Sequence, residues 1–515
     1  MLAEPLSPPP RLLRLPTPTG AGGFGGAVAG VDDVDGDGMS DVVVAAPGSK
    51  HVYVISGSGG NIVRDIRPPS ATGRTFGAAV AAVGDVDLDG TKDFAVGAPS
   101  DGTAVAEPAG GRVFVFSGAS GALLRELVPR TGDGSDFGRS VSGPGDVSGD
   151  GVPDVVVGAP AGQGGGSVFA FSGANGAQLW SRAESVTSFG QVVVATPDVS
   201  SDGVADVLVS SVSLGSGRQR SASAGLVTDL LVGVLNGVLS GVVPERVQVL
   251  SGTTGTVVRS ISDPAPHQDD AFGGAVAPVG DQDGDGVVDH LIAERGANQL
   301  HLYSGNDGVL IRSFAPPPNA HGQAISALVR VDDQDGDGRD DIWVGIGSAR
   351  SAYLLNGAGT VLMEAAAPSP GGSFGTSIAT MGKTSGEAAS DVVVGDPTER
   401  DGGAAYLVRT SARALTAAAT NRAAACEGAG CQALLPTRGQ TATPTTTSTS
   451  TVPATATLPK PSNTTSEGTG LPSTGAPDWL VAGLWAMALG MAGIMVLGRA
   501  RHVVPDPETA GCPRG

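Results

Sequence analysis

The residues of this chain best suited to chemistry are carboxylates at short, alternating spacing. Residues 33–41 read DVDGDGMSD, with Asp33, Asp35, Asp37 and Asp41 at positions 1, 3, 5 and 9 of a loop and Gly38 at position 6. The pattern returns as Asp85, Asp87, Asp89 and Asp93, and as Asp146, Ser148, Asp150 and Asp154. It returns again as Asp198, Ser200, Asp202 and Asp206, as Asp281, Asp283, Asp285 and Asp289, and as Asp333, Asp335, Asp337 and Asp341. A hard dication such as calcium takes six to eight oxygens at roughly 2.3–2.6 Å, and a tight loop can converge alternate side chains on one point. Position 7 varies freely (Met39, Thr91, Val152, Val204, Val287, Arg339), as expected of a residue that offers only its carbonyl oxygen. An EF-hand would place Glu at position 12 and lead into a helix, so this is a different calcium loop. The competing reading is that Asp-Gly pairs are hairpin turns, and six copies in register weigh against it. Up to six calcium ions are expected, held more weakly where Ser148 and Ser200 replace aspartate.

The spacing of the loops defines the elements that must hold them. Successive loops begin 52, 61, 52, 83 and 52 residues apart, a period of about 52 with two insertions. Five follow a Phe-Gly pair by nine residues: Phe24-Gly25, Phe76-Gly77, Phe137-Gly138, Phe189-Gly190 and Phe272-Gly273. In the sixth, His321-Gly322 stands twelve residues upstream where Phe-Gly is expected. Short apolar runs follow each loop (DVVVAAP, DFAVGAP, DVVVGAP), then a second run ending in Ser-Gly or Asn-Gly, then a third such as NIVRDI. With the strand that follows Phe-Gly, each repeat thus supplies four short strands. One such sheet cannot bury both its faces, and radial stacking solves that problem. A seventh copy, Phe374-Gly375 with KTSGEAASD nine residues on, keeps the register but carries Lys383 at the first acidic position, where an ammonium can stand in for the ion. Its fourth strand is missing, and RLLRLPTPTG from Arg11 resembles one. The expectation is an all-β, seven-bladed propeller over residues 11–412, closed by an N-terminal strand at 11–16.

Composition narrows the function. Glycine is abundant, with 81 in 515 residues, and aromatics are 4%, which suits many short strands between tight turns. A net charge of −20 argues against a nucleic-acid partner, since nothing would displace phosphate counterions; six dications would bring it to about −8. The cysteines, Cys426, Cys431 and Cys512, all follow the strand-rich region, so disulfides do not hold it together.

The Phe-Gly pair, the Asp-x-Asp-x-Asp-Gly-x-x-Asp loop and the GAP after it resemble the FG-GAP repeats of the integrin α-chain propeller. The resemblance covers about 400 residues. It implies a seven-bladed propeller with mainly structural calcium between the first and second strands of a blade, and ligands on the opposite face. Blade topology points the same way. Turns 1–2 and 3–4 share one face, and both large insertions fall in 2–3 connections on the other: SDGTAVAEPAGG from Ser100, and residues 213–244. Within the latter, 216–243 has apolar residues from Leu226 to Val242 at helical spacing, with Gly233, Gly237 and Gly241 as a small-residue stripe. A packed cap helix, a partner-binding helix and a membrane contact are the three readings of that segment.

After residue 412 the pattern stops. An Ala-rich and then Thr/Ser/Pro-rich stretch over 413–470 reads as an extended stalk, with Cys426 and Cys431 spaced for a small local disulfide in an oxidising compartment. Leu471, Pro472, Ser473, Thr474 and Gly475 follow, then twenty residues without a charge at 479–498, then Arg499 and Arg501 in a tail over 499–515. The apolar run suits one transmembrane helix, with the arginines on the cytoplasmic side and the propeller outside. That order resembles the cell-wall sorting signal of Gram-positive surface proteins, which implies cleavage by sortase between Thr474 and Gly475 and linkage to peptidoglycan. The tail is longer than usual for such a signal, and MLAEPLSPPP shows no signal-peptide pattern, so the natural start is expected upstream. A simple single-pass anchor is the alternative.

Catalytic features are scarce. GGSFG around Ser373 matches a nucleophile-elbow string but lies in a Phe-Gly junction rather than on a strand-turn-helix. The leading expectation is a non-enzymatic, calcium-binding adhesion protein that binds an extracellular protein or glycan. An extracellular hydrolase or lyase and a structural envelope protein are the competitors.

Overall fold

The computed structural model describes residues 10–410, apart from 70–74, 100–109, 131–134, 162–164, 186–187, 213–245, 265–270, 295–298, 315–316, 318–322 and 383–389. The segment 216–243, Lys383, His321-Gly322, Cys426, Cys431, the stalk, Leu471–Gly475 and 479–498 therefore lie outside the described residues. Among the described residues no helix is long and apolar enough to cross a membrane.

Among the described residues, twenty-eight strands form seven antiparallel four-stranded sheets. Blade 1 is representative, with strands Val28–Val31, Asp41–Ala46, His51–Ile55 and Ile62–Ile66 paired in chain order. Innermost strands of neighbouring blades pack against one another all the way round, blade 1 touching both blade 2 and blade 7, so the sheets close into a seven-bladed β-propeller. In blade 7 the outermost strand comes from the other end of the chain: Arg11–Arg14 pairs with Ala404–Arg409, Leu12 opposite Val408.

The pattern of residues explains this arrangement. Second strands such as DVVVAA and DFAVGA are buried along their whole length, because sheets cover both their faces. A strand in that position reads as a continuous apolar run rather than an alternating one. β-branched Val supplies most of these positions, where a stiff side chain packs well on a pleated surface. Outer strands such as IVRDI are more open, with Ile62 and Asp65 exposed, Val63 and Arg64 partly buried and Ile66 alone buried. The buried residues form seven clusters, one per blade interface.

Phe24, Phe76, Phe137, Phe189, Phe272 and Phe374 are fully buried wedges in six of these interfaces. The glycine after each has a left-handed φ, 86° at Gly25 and 97° at Gly375. A Cβ on Gly25 would run into the carbonyl oxygen of Ala404 in the neighbouring blade, so glycine is required there for two reasons. Between blades 5 and 6 the wedge is Ile325, fully buried. Ser326 N–H donates to Gly345 O at 2.7 Å, as Gly77 N–H does to Gly97 O at 3.1 Å. Ile325-Ser326 therefore takes the Phe-Gly place, which corrects the expectation for His321-Gly322. Ile325 stands one residue closer to its loop than the phenylalanines stand to theirs.

Candidate metal centres

Each carboxylate loop joins strand 1 to strand 2 of a blade and turns twice through left-handed backbone. Position 6 is always glycine, with φ between 84° and 93° in all six loops. Position 4 is left-handed as well, through Gly36, Gly149, Gly284 and Gly336 but also through Leu88 (φ 60°) and Ser201 (φ 63°). These two turns fold the loop back on the position-1 carboxylate. Asp33 Oδ1 accepts from the N–H of Gly36 (2.6 Å) and Asp37 (3.0 Å), and Oδ2 from Gly38 (2.6 Å). Asp146, Asp198 and Asp281 repeat this set. Burial is the largest single influence on each of those three and pushes upward, but the backbone donors together hold each carboxyl below its ordinary value.

Position 9 behaves differently. Asp41, Asp93, Asp154, Asp206, Asp289 and Asp341 open the second strand and are fully buried. One oxygen of each accepts from the N–H of position 2, as Val34 does to Asp41 Oδ2 at 2.8 Å. In the first five loops the other accepts from the 3–4 turn of the same blade: Gly57 N–H to Asp41 Oδ1 at 3.0 Å, and Gly118, Gly173, Gly252 and Gly305 likewise. The Ser-Gly that ends the third strand of these five blades is thus part of the site. Ser56 Oγ donates to the position-5 carboxylate Asp37 at 3.0 Å, and Ser172, Ser251 and Ser304 do the same at 3.2–3.4 Å. In blade 6 Asn356 Nδ2 instead donates to the position-3 carboxylate Asp335 at 3.1 Å. The seventh repeat retains this joint, with Asp391 buried and Thr410 N–H on its Oδ1 at 3.1 Å.

Carboxylate oxygens converge in five of the six loops. Asp33, Asp35 and Asp37 bring ligand atoms within 4.8 Å of one another, as do Asp85, Asp87 and Asp93; Asp146, Asp150 and Asp154; Asp281, Asp283 and Asp285; and Asp333, Asp335 and Asp341. Oxygens around one calcium lie up to about 5 Å apart, twice the ion–oxygen distance, so each group has the dimensions of half a coordination shell. Asp41, Asp89, Asp289 and Asp337 stand outside these groups. In the fourth loop Asp198, Asp202 and Asp206 form no such group. There the Ser200 hydroxyl lies 3.3 Å from Asp198 Oδ1 and 3.2 Å from Asp206 Oδ1.

The electrostatics separate the loops further. Burial, then repulsion from the other loop aspartates, pushes Asp41, Asp93 and Asp289 up to about 6 and Asp341 up to about 8. Asp341 Oδ1 is moreover a fully buried acceptor with no hydrogen-bond partner among the described residues. A buried carboxylate that is both orphaned and crowded by like charge is what a cation would relieve. The donor set, all hard oxygen, fits calcium or magnesium rather than a soft metal.

Similarity to known proteins follows the same residues. Residues 33–96 match the FG-GAP-like repeat family, and residues 137–171 match the FG-GAP repeat. The chain carries FG-GAP repeats. Integrin alpha-PS5 of Drosophila melanogaster is 34% identical over 156 residues, 27% of this chain and 15% of that protein. Integrin alpha-7 of Mus musculus is 34% identical over 150 residues, 26% of this chain and 12% of that protein. Integrin alpha-6 of Homo sapiens is 35% identical over 149 residues, 27% and 12% of the two chains. The chain thus spans 15% or less of the length of these relatives.

Ser373 lies between the last strand of blade 6 and the first of blade 7. Its N–H donates to Asp396 Oδ1 at 2.5 Å and its hydroxyl accepts from Thr398 Oγ1 at 2.8 Å. No histidine is among these partners, so the elbow string forms part of a junction.

Proposed function

We propose that this chain is a calcium-stabilised propeller displayed outside the cell, which binds an extracellular protein or glycan on the face away from the carboxylate loops. The convergence of carboxylates in five loops of one register carries this reading, with the orphaned Asp341 Oδ1 as its sharpest point. Similarity to integrin alpha chains over about a quarter of the sequence supports a binding rather than a catalytic role. Calcium would be held by Asp33, Asp35, Asp37 and Asp41 and their five counterparts, up to six ions in all. Because every loop hydrogen-bonds to the 3–4 turn of its blade, these ions would stiffen the ring rather than contact a ligand. The 2–3 and 4–1 connections would carry specificity.

Display completes the proposal. Residues 413–470 would form the stalk, and Leu471–Gly475 the sortase signal for attachment to peptidoglycan. Residues 479–498 would cross the membrane, leaving 499–515 inside. Calorimetric titration of calcium into the metal-free full chain should give between one and six sites; none, or more than six, would overturn the assignment. Binding to glycan arrays and matrix proteins, with and without chelator, tests the ligand role. Deletion of 216–243 should leave the ring folded and weaken binding if that segment meets the partner.

A further inference from the structure

In blades 1 to 4 the outer strand reaches into the next blade at one fixed register position. Arg64 (opposite Val54) donates from Nε to Gly118 O at 3.1 Å and from Nη2 to Ala119 O. Arg125 (opposite Val115) donates to Gly173 O at 3.1 Å and Ala174 O at 2.5 Å. Trp180 (opposite Ala170) donates from Nε1 to Gly252 O at 2.7 Å, and Arg259 (opposite Val249) to Gly305 O at 3.0 Å. Two different side chains make the same bond at the same place.

The acceptors are not arbitrary carbonyls. Gly118, Gly173, Gly252 and Gly305 are the same turn glycines whose N–H groups hold Asp93, Asp154, Asp206 and Asp289. A second glycine three residues on carries the stem of the donor: a Cβ on Gly121 would lie 2.9 Å from Arg64 Cδ, and one on Gly255 2.6 Å from Trp180 Cε3. A turn glycine has no side chain to anchor it, so these two backbone bonds, one from each blade, fix where its N–H points.

Blade 6 provides the contrast. Arg312, at the equivalent position of blade 5, makes no hydrogen bond to the blade 6 turn among the described residues; its guanidinium sits 5.9 Å from the centre of the Phe314 ring. There Gly357 N–H does not reach Asp341, whose Oδ1 is left without a partner. In blade 7, which follows Met363 at that position, the Thr410 hydroxyl anchors the turn residue to Ser390 O at 2.8 Å instead, and the bond to Asp391 survives.

We infer that Arg64, Arg125, Trp180 and Arg259 are positioning residues for the carboxylate loop of the following blade, so that the grip of loops 2 to 5 on a dication depends on the blade before each. The inference rests on the calcium reading above and adds a direction to it. Hydrogen exchange of the full chain, measured by mass spectrometry across a series of free calcium concentrations, resolves each loop separately. Arg64→Met should move the calcium midpoint of residues 85–93 upward by roughly three- to tenfold, the worth of one or two hydrogen bonds, and leave residues 33–41 unmoved. Trp180→Phe removes only the indole N–H and should do the same to residues 198–206 while sparing 146–154; it decides the matter if Arg64→Met does not fold. Equal shifts in the donor's own loop, or no shift in the next loop while calcium still protects both in the wild type, would overturn the inference. Absence of any calcium-dependent protection in the wild type would instead sink the calcium reading, and this inference with it.

Discussion

Loops 1, 2, 5 and 6 carry aspartate at position 3, whereas loops 3 and 4 carry serine. In the first set the repulsion of other loop aspartates adds to burial in raising the position-9 carboxyl. In the second, burial still raises Asp154 and Asp206, but Ser148 and Ser200 donate hydrogen bonds that oppose it, and repulsion does not figure among the main causes. One substitution thus changes a loop from one that strains against its own charge to one that partly satisfies itself. Four loops should need an ion to be comfortable, and two should merely accept one.

The largest test of that contrast is removal of metal at different pH. A carboxyl whose folded-state pKa is raised binds its proton more tightly folded than unfolded, so metal-free stability should fall as pH rises from about 4 through about 6, and further towards 8 as Asp341 ionises. Calcium at a hundredfold excess over its Kd would contribute about 2.7 kcal/mol per site and reverse that slope. Melting curves of dialysed and calcium-loaded protein at pH 5 and pH 8 check this. A metal-free profile that is flat, or rises with pH, would break the comparison.

Exchanging the loop types comes next. Asp35→Ser should weaken calcium at loop 1 by about tenfold while leaving the metal-free protein as stable or more so, since ligand charge sets affinity in such sites. Ser148→Asp should do the opposite at loop 3. If both substitutions cost metal-free stability equally, position 3 acts through packing and the distinction between loop types fails.

Asp341→Asn sharpens the same point at one carboxylate. It should abolish binding at loop 6 yet change metal-free stability by no more than about 1 kcal/mol, because the charge it removes is one the fold holds at a cost. Calorimetry with one site fewer, beside an unchanged melting curve, is the expected result. The smallest effect belongs to Lys92→Ala, which removes a 2.9 Å ion pair with Asp32 between two half-exposed side chains. The melting temperature should move by less than the equivalent of about 1 kcal/mol.

Much of the ring was legible because its two signals, Phe-Gly and the carboxylate loop, sit at fixed separation. What escaped was whatever changed identity or spacing. Ile325-Ser326 fills the sixth wedge with different residues and one residue less before the loop, so neither the identity nor the spacing of the Phe-Gly signal marks it. The Ser-Gly turn was visible as a strand end, but not as a partner of position 9. Its distance from the loop varies with the 2–3 connection, as Asp41 to Gly57 and Asp93 to Gly118 already differ, being 16 and 25 residues. Left-handed backbone at position 4 was hidden by Leu88 and Ser201, which adopt it without being glycine. Periodicity reveals what recurs along the chain, whereas hydrogen bonds between turns are set by what meets across the sheet.

The seam in blade 7 has a consequence in time. Thr17 donates its hydroxyl to Gly403 O across 386 residues of chain, and Arg11–Arg14 has no sheet to join until Ala404–Arg409 exists. During synthesis at roughly 5–20 residues per second, the first strand therefore waits tens of seconds for its partner. Through that interval the growing ring is an open arc with an uncovered edge. Closing it must wait until Ala404–Arg409 has been made, and any factor that shields an exposed strand would act in that window.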